Sequence, residues 1–349
     1  MHDLARRSPL FVKGGQALVQ HLPQEGFIFS HERTNHVIHC NRYRIRVTVA
    51  DYQRNTSVSS MCNNRMVIPP PIGDGHRMPT DRDYILGTHQ EEISRLGLQH
   101  NVWRPVVLDC WKRAGVTAGK RVLDVGAGPG YAAVDLAEIV GRRGKVIALE
   151  RSRNFVDALR EIIRVRSLDN VQIHEIDLMT DDLPAGDYDF AWCRWVVSFV
   201  NDPALLIQKL GRVMPKGSLS IFHEYGHYET WRFFPRLQMQ ERFREHVIAT
   251  WHESGGEPDG VARLPELLSK NGFIIRSGRP HVFCLRPNDY MWQWPATFIE
   301  IYLPRLIQMG RIDQEFADKV RADLVSAEKD RNALMLTPLV LEIVAERMA

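Results

Sequence analysis

The sequence predicts an α/β fold in which a parallel sheet is covered by helices on both faces. Three observations predict it. Short apolar strands alternate with helical segments from Arg121 to Glu224, the spacing of βαβ units. A glycine-rich turn, Gly126 to Gly130, joins the first of these strands directly to a helix. The 349 residues are 44% hydrophobic and 25% charged, which is globular composition and excludes wholesale disorder.

The elements follow in order. Residues 1–80 hold six histidines, the run Pro69-Pro70-Pro71 and no sustained helical period. Residues 1–79 are expected to be a poorly ordered extension with one short strand, Tyr43 to Val49. A small extra domain is the alternative. Fold logic starts at Thr80-Asp81, which suggests Met78 as a native initiator; N-terminal sequencing decides. Residues 89–97 and 101–114 read as two helices, the second with Trp103, Val106, Val107 and Cys110 on one face. Strands follow at Arg121–Val125, Lys145–Glu150, Val171–Asp177, Tyr188–Trp195 and Ser218–Glu224. Helices fall between them at Tyr131–Val140, Phe155–Val165 and Pro203–Val213. A further helix, Val261 to Lys270, stops at Gly272. Phe273–Cys284 and Met335–Val344 are the last expected strands. The core domain is 80–349, with insertions at 226–262 and 288–330.

Several classes are excluded. No apolar run approaches the ~18 residues of a membrane-spanning helix. No secretory signal pattern opens the chain. The five cysteines are scattered, without CxxC or zinc-finger spacing, so a reduced, cytoplasmic setting without metal is expected. Residues 1–80 carry ten Lys/Arg against five Asp/Glu, and the remainder is slightly acidic. The basic balance therefore gives no argument for nucleic acid.

The chemistry centres on Asp124-Val125-Gly126-Ala127-Gly128-Pro129-Gly130-Tyr131. In a doubly wound sheet this turn lies at the carboxyl edge, where ligands bind. Asp124 would repel a pyrophosphate but attract an ammonium. Glu150 ends the next strand, where an acid can accept both ribose hydroxyls. Asp177 ends the third, within reach of an adenine amino group. An adenosine with a cationic amino-acid tail, S-adenosylmethionine, fits all three. A dinucleotide fingerprint would require glycine where Tyr131 stands.

These residues resemble the class I S-adenosylmethionine-dependent methyltransferases, small-molecule subgroup. Asp124 to Gly130 looks like their first motif, Ala148-Leu149-Glu150 their second, and Glu175-Ile176-Asp177-Leu178 their acidic adenine motif. Arg194-Trp195-Val196-Val197 with Asn201-Asp202-Pro203, and Leu210 to Gly217, resemble the fourth strand with its helix and the turn before the fifth strand. Tyr84 to Gly87 and Glu91 to Gln99 look like the lead helix. The resemblance implies a Rossmann-like, mostly parallel seven-stranded sheet with helical insertions. It implies cofactor contacts from Tyr84, Gln99, Asp124, Gly126, Ala127, Gly128, Gly130, Glu150, Arg151, Asp177, Leu178 and Arg194.

The expected reaction moves a methyl group from S-adenosylmethionine to an O, N or C atom of a small metabolite. A protein or RNA methyltransferase, or a non-catalytic cofactor-binding regulator, is the alternative. If a base is needed, His223 and Glu224 at the end of the fifth strand are the candidates. Cys193 is expected to be an inert core thiol. The aromatic insertions are expected to wall the acceptor. Partner expectations are a small-molecule acceptor, neither nucleic acid nor membrane, and at most a second copy in a homodimer.

Overall fold

The computed structural model describes residues 87–348 and three earlier strands. The chain divides into Met1–Met66 and Val67–Ala349. In the first unit β1 (Phe27–Glu32), β2 (Asn35–Cys40) and β3 (Tyr43–Thr48) pair antiparallel in that order. Only β3 was expected. β1 and β2 carry short apolar runs, Phe27-Ile28-Phe29 and Val37-Ile38, without the alternation that marks a half-buried strand.

In the second unit, α1 (Gln90–Ala114) is one continuous helix where two were expected. Its Gly97 is not a break. A Cβ there would lie 2.9 Å from the Tyr131 hydroxyl, so the bare Cα admits that ring. Gly115 ends the helix in the left-handed conformation, and its N–H closes onto the carbonyls of Trp111 and Lys112.

The alternation then runs β4 (Arg121–Val125), α2 (Tyr131–Val140), β5 (Lys145–Glu150), α3 (Arg153–Arg166), β6 (Val171–Glu175) and β7 (Phe190–Arg194). It continues α4 (Pro203–Val213) and β8 (Leu219–Tyr225), close to the expected bounds. Asp202 caps α4 by accepting the Leu205 N–H, with Pro203 pre-set at the first helical position. β9 (Arg232–Phe234), α5 (Gln238–Glu253) and α6 (Leu264–Lys270) follow. Next come β10 (Phe273–His281), β11 (Cys284–Leu285), α7 (Gln293–Gln308) and α8 (Gln314–Lys329). The last expected strand is two, β12 (Leu334–Leu336) and β13 (Val340–Arg347), in different sheets. Pro338 lies between them and has no N–H for a ladder.

The main sheet has seven strands in the order β10-β13-β8-β7-β4-β5-β6. Neighbours from β8 to β6 are parallel, and β13 is antiparallel to both β8 and β10. The chain steps outward from β4 to β6, then returns to β7 on the other side of β4. That reversal opens a crevice at the carboxyl ends of β4 and β7. A small antiparallel sheet, β11-β12-β9, joins the first insertion to the two segments that flank the second.

The faces of the main sheet differ. One packs against α4 and α6 through Leu206, Leu210, Leu264 and Leu268. The other packs against α1, α2 and the insertions, and all eight tryptophans lie in that second core. Period-two alternation puts Asp124, Glu150, Arg194, His223 and Tyr225 on this tryptophan-rich face, and Glu224 on the other. No described helix is long and apolar enough to cross a membrane.

Candidate active site

The glycine turn is built by packing as much as by backbone conformation. A Cβ on Gly126 would lie 2.6 Å from Val196 Cγ2, and one on Gly130 would lie 2.1 Å from Leu159 Cδ1. Both positions have positive φ, at 68° and 87°. Around Gly128 no described residue lies within 4 Å of the same construction, so among the described residues the crest of the loop is open ground. Ala127 N–H donates to the Leu149 carbonyl at 2.8 Å, which holds the loop over the end of β5.

Glu150 organises the crest from β5. Its carboxylate accepts the N–H groups of Gly128 at 2.9 Å, Arg151 at 2.9 Å and Ser152 at 2.7 Å. Burial raises its pKa, and the three amides oppose that rise. A carboxylate offers about four acceptor sites, so about one is left. A ribose could take that site; a second hydroxyl would have to displace an amide.

Asp124 is 2% exposed at the end of β4, and its Oδ2 has no hydrogen-bond partner among the described residues. Burial lifts its pKa from the ordinary 3.8 to about 7; Arg194 pulls the other way and Glu150 adds to the rise. Arg194 ends β7. Its Nη2 lies 3.1 Å from His100 Nδ1, while Nη1 is buried without a partner among the described residues. Burial lowers this guanidinium to about 10, so it stays charged. The orphaned carboxylate oxygen and guanidinium nitrogen match an amino-acid end, ammonium to Asp124 and carboxylate to Arg194. The residues present therefore fit the methionine moiety of the cofactor.

A low pH should weaken that fit. Below about 7 the empty site holds Asp124 protonated, and it must lose the proton to take an ammonium. Affinity for S-adenosylhomocysteine, measured by calorimetry, is expected to rise as pH approaches about 7, by up to ~tenfold per unit, and then level off. Asp124→Asn should bind weakly and flatten the profile.

Sequence reasoning missed the support behind Arg194. His100 of α1 places Nε2 3.1 Å from Asp135 of α2, and Asp135 accepts Arg104 Nε at 2.7 Å. Because Arg194 only donates, His100 Nδ1 is the acceptor and Nε2 carries the proton. Burial keeps the ring neutral by lowering its pKa. The signal was faint: His100 shares a helix face with Trp103 and Val107, and a core reading absorbs it.

The remaining expected contacts are dispersed. Asp177 is on the rim, partly exposed; its Oδ1 accepts the Met179 N–H at 2.8 Å and Oδ2 lies 3.5 Å from Arg151 Nη1. Leu178 is buried beside them, with its carbonyl on Lys209 Nζ at 2.9 Å. Gln99 sits farther along α1, where its Oε1 accepts Arg95 Nη1 at 2.8 Å and Trp294 Nε1 at 3.0 Å. Tyr84 lies outside the described residues.

The two candidate bases do not face an open site. His223 is fully buried, its Nε2 is 3.3 Å from Glu342 Oε2, and burial drops its pKa to about 4. Glu224 is equally buried on the opposite face, with its pKa pushed up to about 7. Its carboxylate accepts the N–H groups of Val196 at 2.8 Å, Val197 at 3.0 Å and Ser198 at 3.3 Å. The turn it holds begins at Trp195, whose φ of 53° is costly for a bulky side chain. Cys193 is fully buried beside Glu224; burial raises its thiol pKa and the neighbouring carboxylate adds to the rise.

Beyond Trp195 the carboxyl ends of β7 and β8 meet the insertions. Arg95, Gln99, Trp195, Phe199, Tyr225, Trp251 and Phe298 enclose a cavity of about 10 Å³. Arg95 is buried and held by Glu92 through two bonds of 2.7 Å. Of the aromatics expected to wall an acceptor, Trp251 and Phe298 line this cavity, while Trp231, Phe243, Trp292 and Tyr302 are core. Phe234 and Tyr290 are exposed.

Sheet order, glycine turn and acid-tipped strands define the class I S-adenosylmethionine-dependent methyltransferases, and the chain is an enzyme of that class. Residues 122–217 match the family described as a methyltransferase domain. The demethylmenaquinone methyltransferase of Geobacillus kaustophilus is 27% identical over 196 residues, covering 53% of this chain and 82% of its own. That of Geobacillus sp. strain WCH70 is 29% identical over the same length, with the same coverage. Among solved structures, YcgJ of Bacillus subtilis aligns with a TM-score of 0.47 and 14% identity, covering 72% of this chain and 99% of its own.

Proposed function

We propose that the protein methylates a small organic acceptor, at O, N or C, with S-adenosylmethionine as donor. The observation that carries this reading is the aromatic enclosure at the carboxyl ends of β7 and β8, next to the Asp124–Arg194 pair. Trp195, Tyr225 and Trp294 lie nearly parallel and stack on one another, an aromatic platform against which a flat acceptor could lie. The relatives named for demethylmenaquinone add support for an acceptor of that kind.

When bound, the cofactor supplies a methyl group on a positively charged sulfur. The protein's part is to hold and align. Asp124 and Arg194 would take the amino-acid end, the open crest at Gly128 and Glu150 the ribose, and Asp177 and Leu178 the adenine edge. The cage excludes water and sets the line of attack; positioning of this kind is worth up to ~7–11 kcal/mol in favourable cases. Burial raises the Tyr225 phenol, and Arg95 is a cation, so the cage holds no base suited to neutral pH. The acceptor should therefore be nucleophilic without one, as a phenolate or enolate is. His223 and Glu224 then serve the site by support. The cavity is far below the ~300 Å³ of a small-ligand pocket, so the covering helices α5 and α7 must shift to admit the acceptor.

The test is incubation of the full chain with labelled donor and, separately, a metabolite extract containing reduced quinones, bulk RNA and a protein extract. Label in a small aromatic product is expected. Label only in RNA or protein, or cofactor binding with no transfer, would reject this reading. Trp251→Ala should raise KM for the acceptor about tenfold or more while cofactor affinity stays within a factor of two.

A further inference from the structure

Away from the cofactor crevice, three metal-capable side chains converge from three elements, Cys110 of α1, His223 of β8 and Glu342 of β13, and His281 of β10 stands beside Glu342. Cys110, His223 and Glu342 are fully buried, and their donor atoms all lie within 4.8 Å of one another. His281 is mostly buried, with its Nε2 3.2 Å from Glu342 Oε2. His223 Nε2 is 3.3 Å from the same oxygen. Zinc bonds of about 2.0–2.3 Å in a tetrahedron set neighbouring ligand atoms about 3.3–3.7 Å apart. Both measured nitrogen–oxygen separations are close to that edge length.

In the metal-free network three donors share one oxygen of Glu342, although Arg113 also reaches the other. Glu342 Oε2 faces His223 Nε2, His281 Nε2 and, at 3.0 Å, Arg113 Nη2. One carboxylate oxygen has about two lone pairs for these donors. A cation shared by the thiolate, the two imidazoles and the carboxylate removes the crowding. Arg113, which reaches both oxygens of Glu342, then becomes the outer hydrogen bond that orients a ligating carboxylate. The ring of Trp103 stands edge-on to both imidazoles, and Trp192 lies against His223, so water is kept out.

We propose that Cys110, His223 and Glu342 form a structural zinc site, closed by a small shift of His281 as fourth ligand, that pins α1 to the β8-β13-β10 edge of the sheet. One sulfur, two nitrogens and one oxygen, closed to solvent, is a donor set for four-coordinate zinc. The spacing rules applied to the sequence do not find it, because His223 and Glu342 are 119 residues apart and meet only by strand pairing.

The experiment is elemental analysis of the full chain purified without chelator, followed by cobalt substitution. One zinc per chain is expected, together with a cobalt spectrum showing thiolate-to-metal charge transfer. Cys110→Ser should abolish the charge-transfer band; His281→Ala, at the most exposed ligand, should weaken zinc retention at least ~tenfold. Cys284→Ser, at an exposed cysteine outside the cluster, should leave the band intact. Folded protein that takes up neither zinc nor cobalt would overturn the proposal. So would zinc retained undiminished by Cys110→Ser and His281→Ala. If a variant fails to fold, the wild-type cobalt spectrum decides by the presence or absence of the thiolate band.

Discussion

Glu150→Ala is expected to cost the protein its cofactor and to loosen the loop that receives it. The side chain ties the N–H groups of Gly128, Arg151 and Ser152 into one unit across the crest and the start of α3. Its removal leaves those donors without their partner. A hydrogen bond to a charged group contributes about 1.5–3 kcal/mol, so losing the ribose contact alone should weaken binding ~10–150-fold. Loss of the pre-shaped crest should add to this. Calorimetry with S-adenosylhomocysteine reads the effect, and affinity within twofold of wild type would remove Glu150 from the site. Glu150→Gln should not rescue, because an amide presents a donor to one of the three N–H groups that now meet an acceptor.

Gly130→Ala should give the largest loss of stability of any conservative change in the loop. The new methyl would stand 2.1 Å from Leu159 Cδ1, and Leu159 is fully buried. The backbone adds a second penalty, since φ of 87° is left-handed. Overpacking typically costs ~1–3 kcal/mol and a strained residue about as much again, so ~2–6 kcal/mol is expected in urea unfolding. Leu159→Ala alone should cost ~2–5 kcal/mol through its cavity. The double variant should be less destabilised than the sum, because the cavity receives the methyl while the backbone strain stays. Strict additivity would show that the two positions do not touch.

The parts of the fold that were legible share one property: their signal is local. A strand such as Arg121–Val125 running into Gly126 and on to Tyr131 is written in adjacent residues, and its bounds were read correctly. The acids that tip β4 and β5 were legible for the same reason. The two-helix expectation failed because α1 runs unbroken through Gly97, whose bare Cα admits the ring of Tyr131, 34 positions away along the chain. The split of β12 from β13 was missed although Pro338 marked it, because the apolar pattern continues across the break.

The sequence by itself determined the class of fold, the position of the ligand-binding turn and the charge pattern that favours a cationic adenosine. These follow from backbone geometry and short-range spacing, which act between neighbours in the chain. Only the tertiary structure decided that His223 and Glu224 are enclosed, that Arg194 is backed by His100 and Asp135, and that Cys110 meets His223 and Glu342. Burial and partnership arise when distant strands pair, and they set whether an ionisable group is charged, free or bound. No local pattern carries that information.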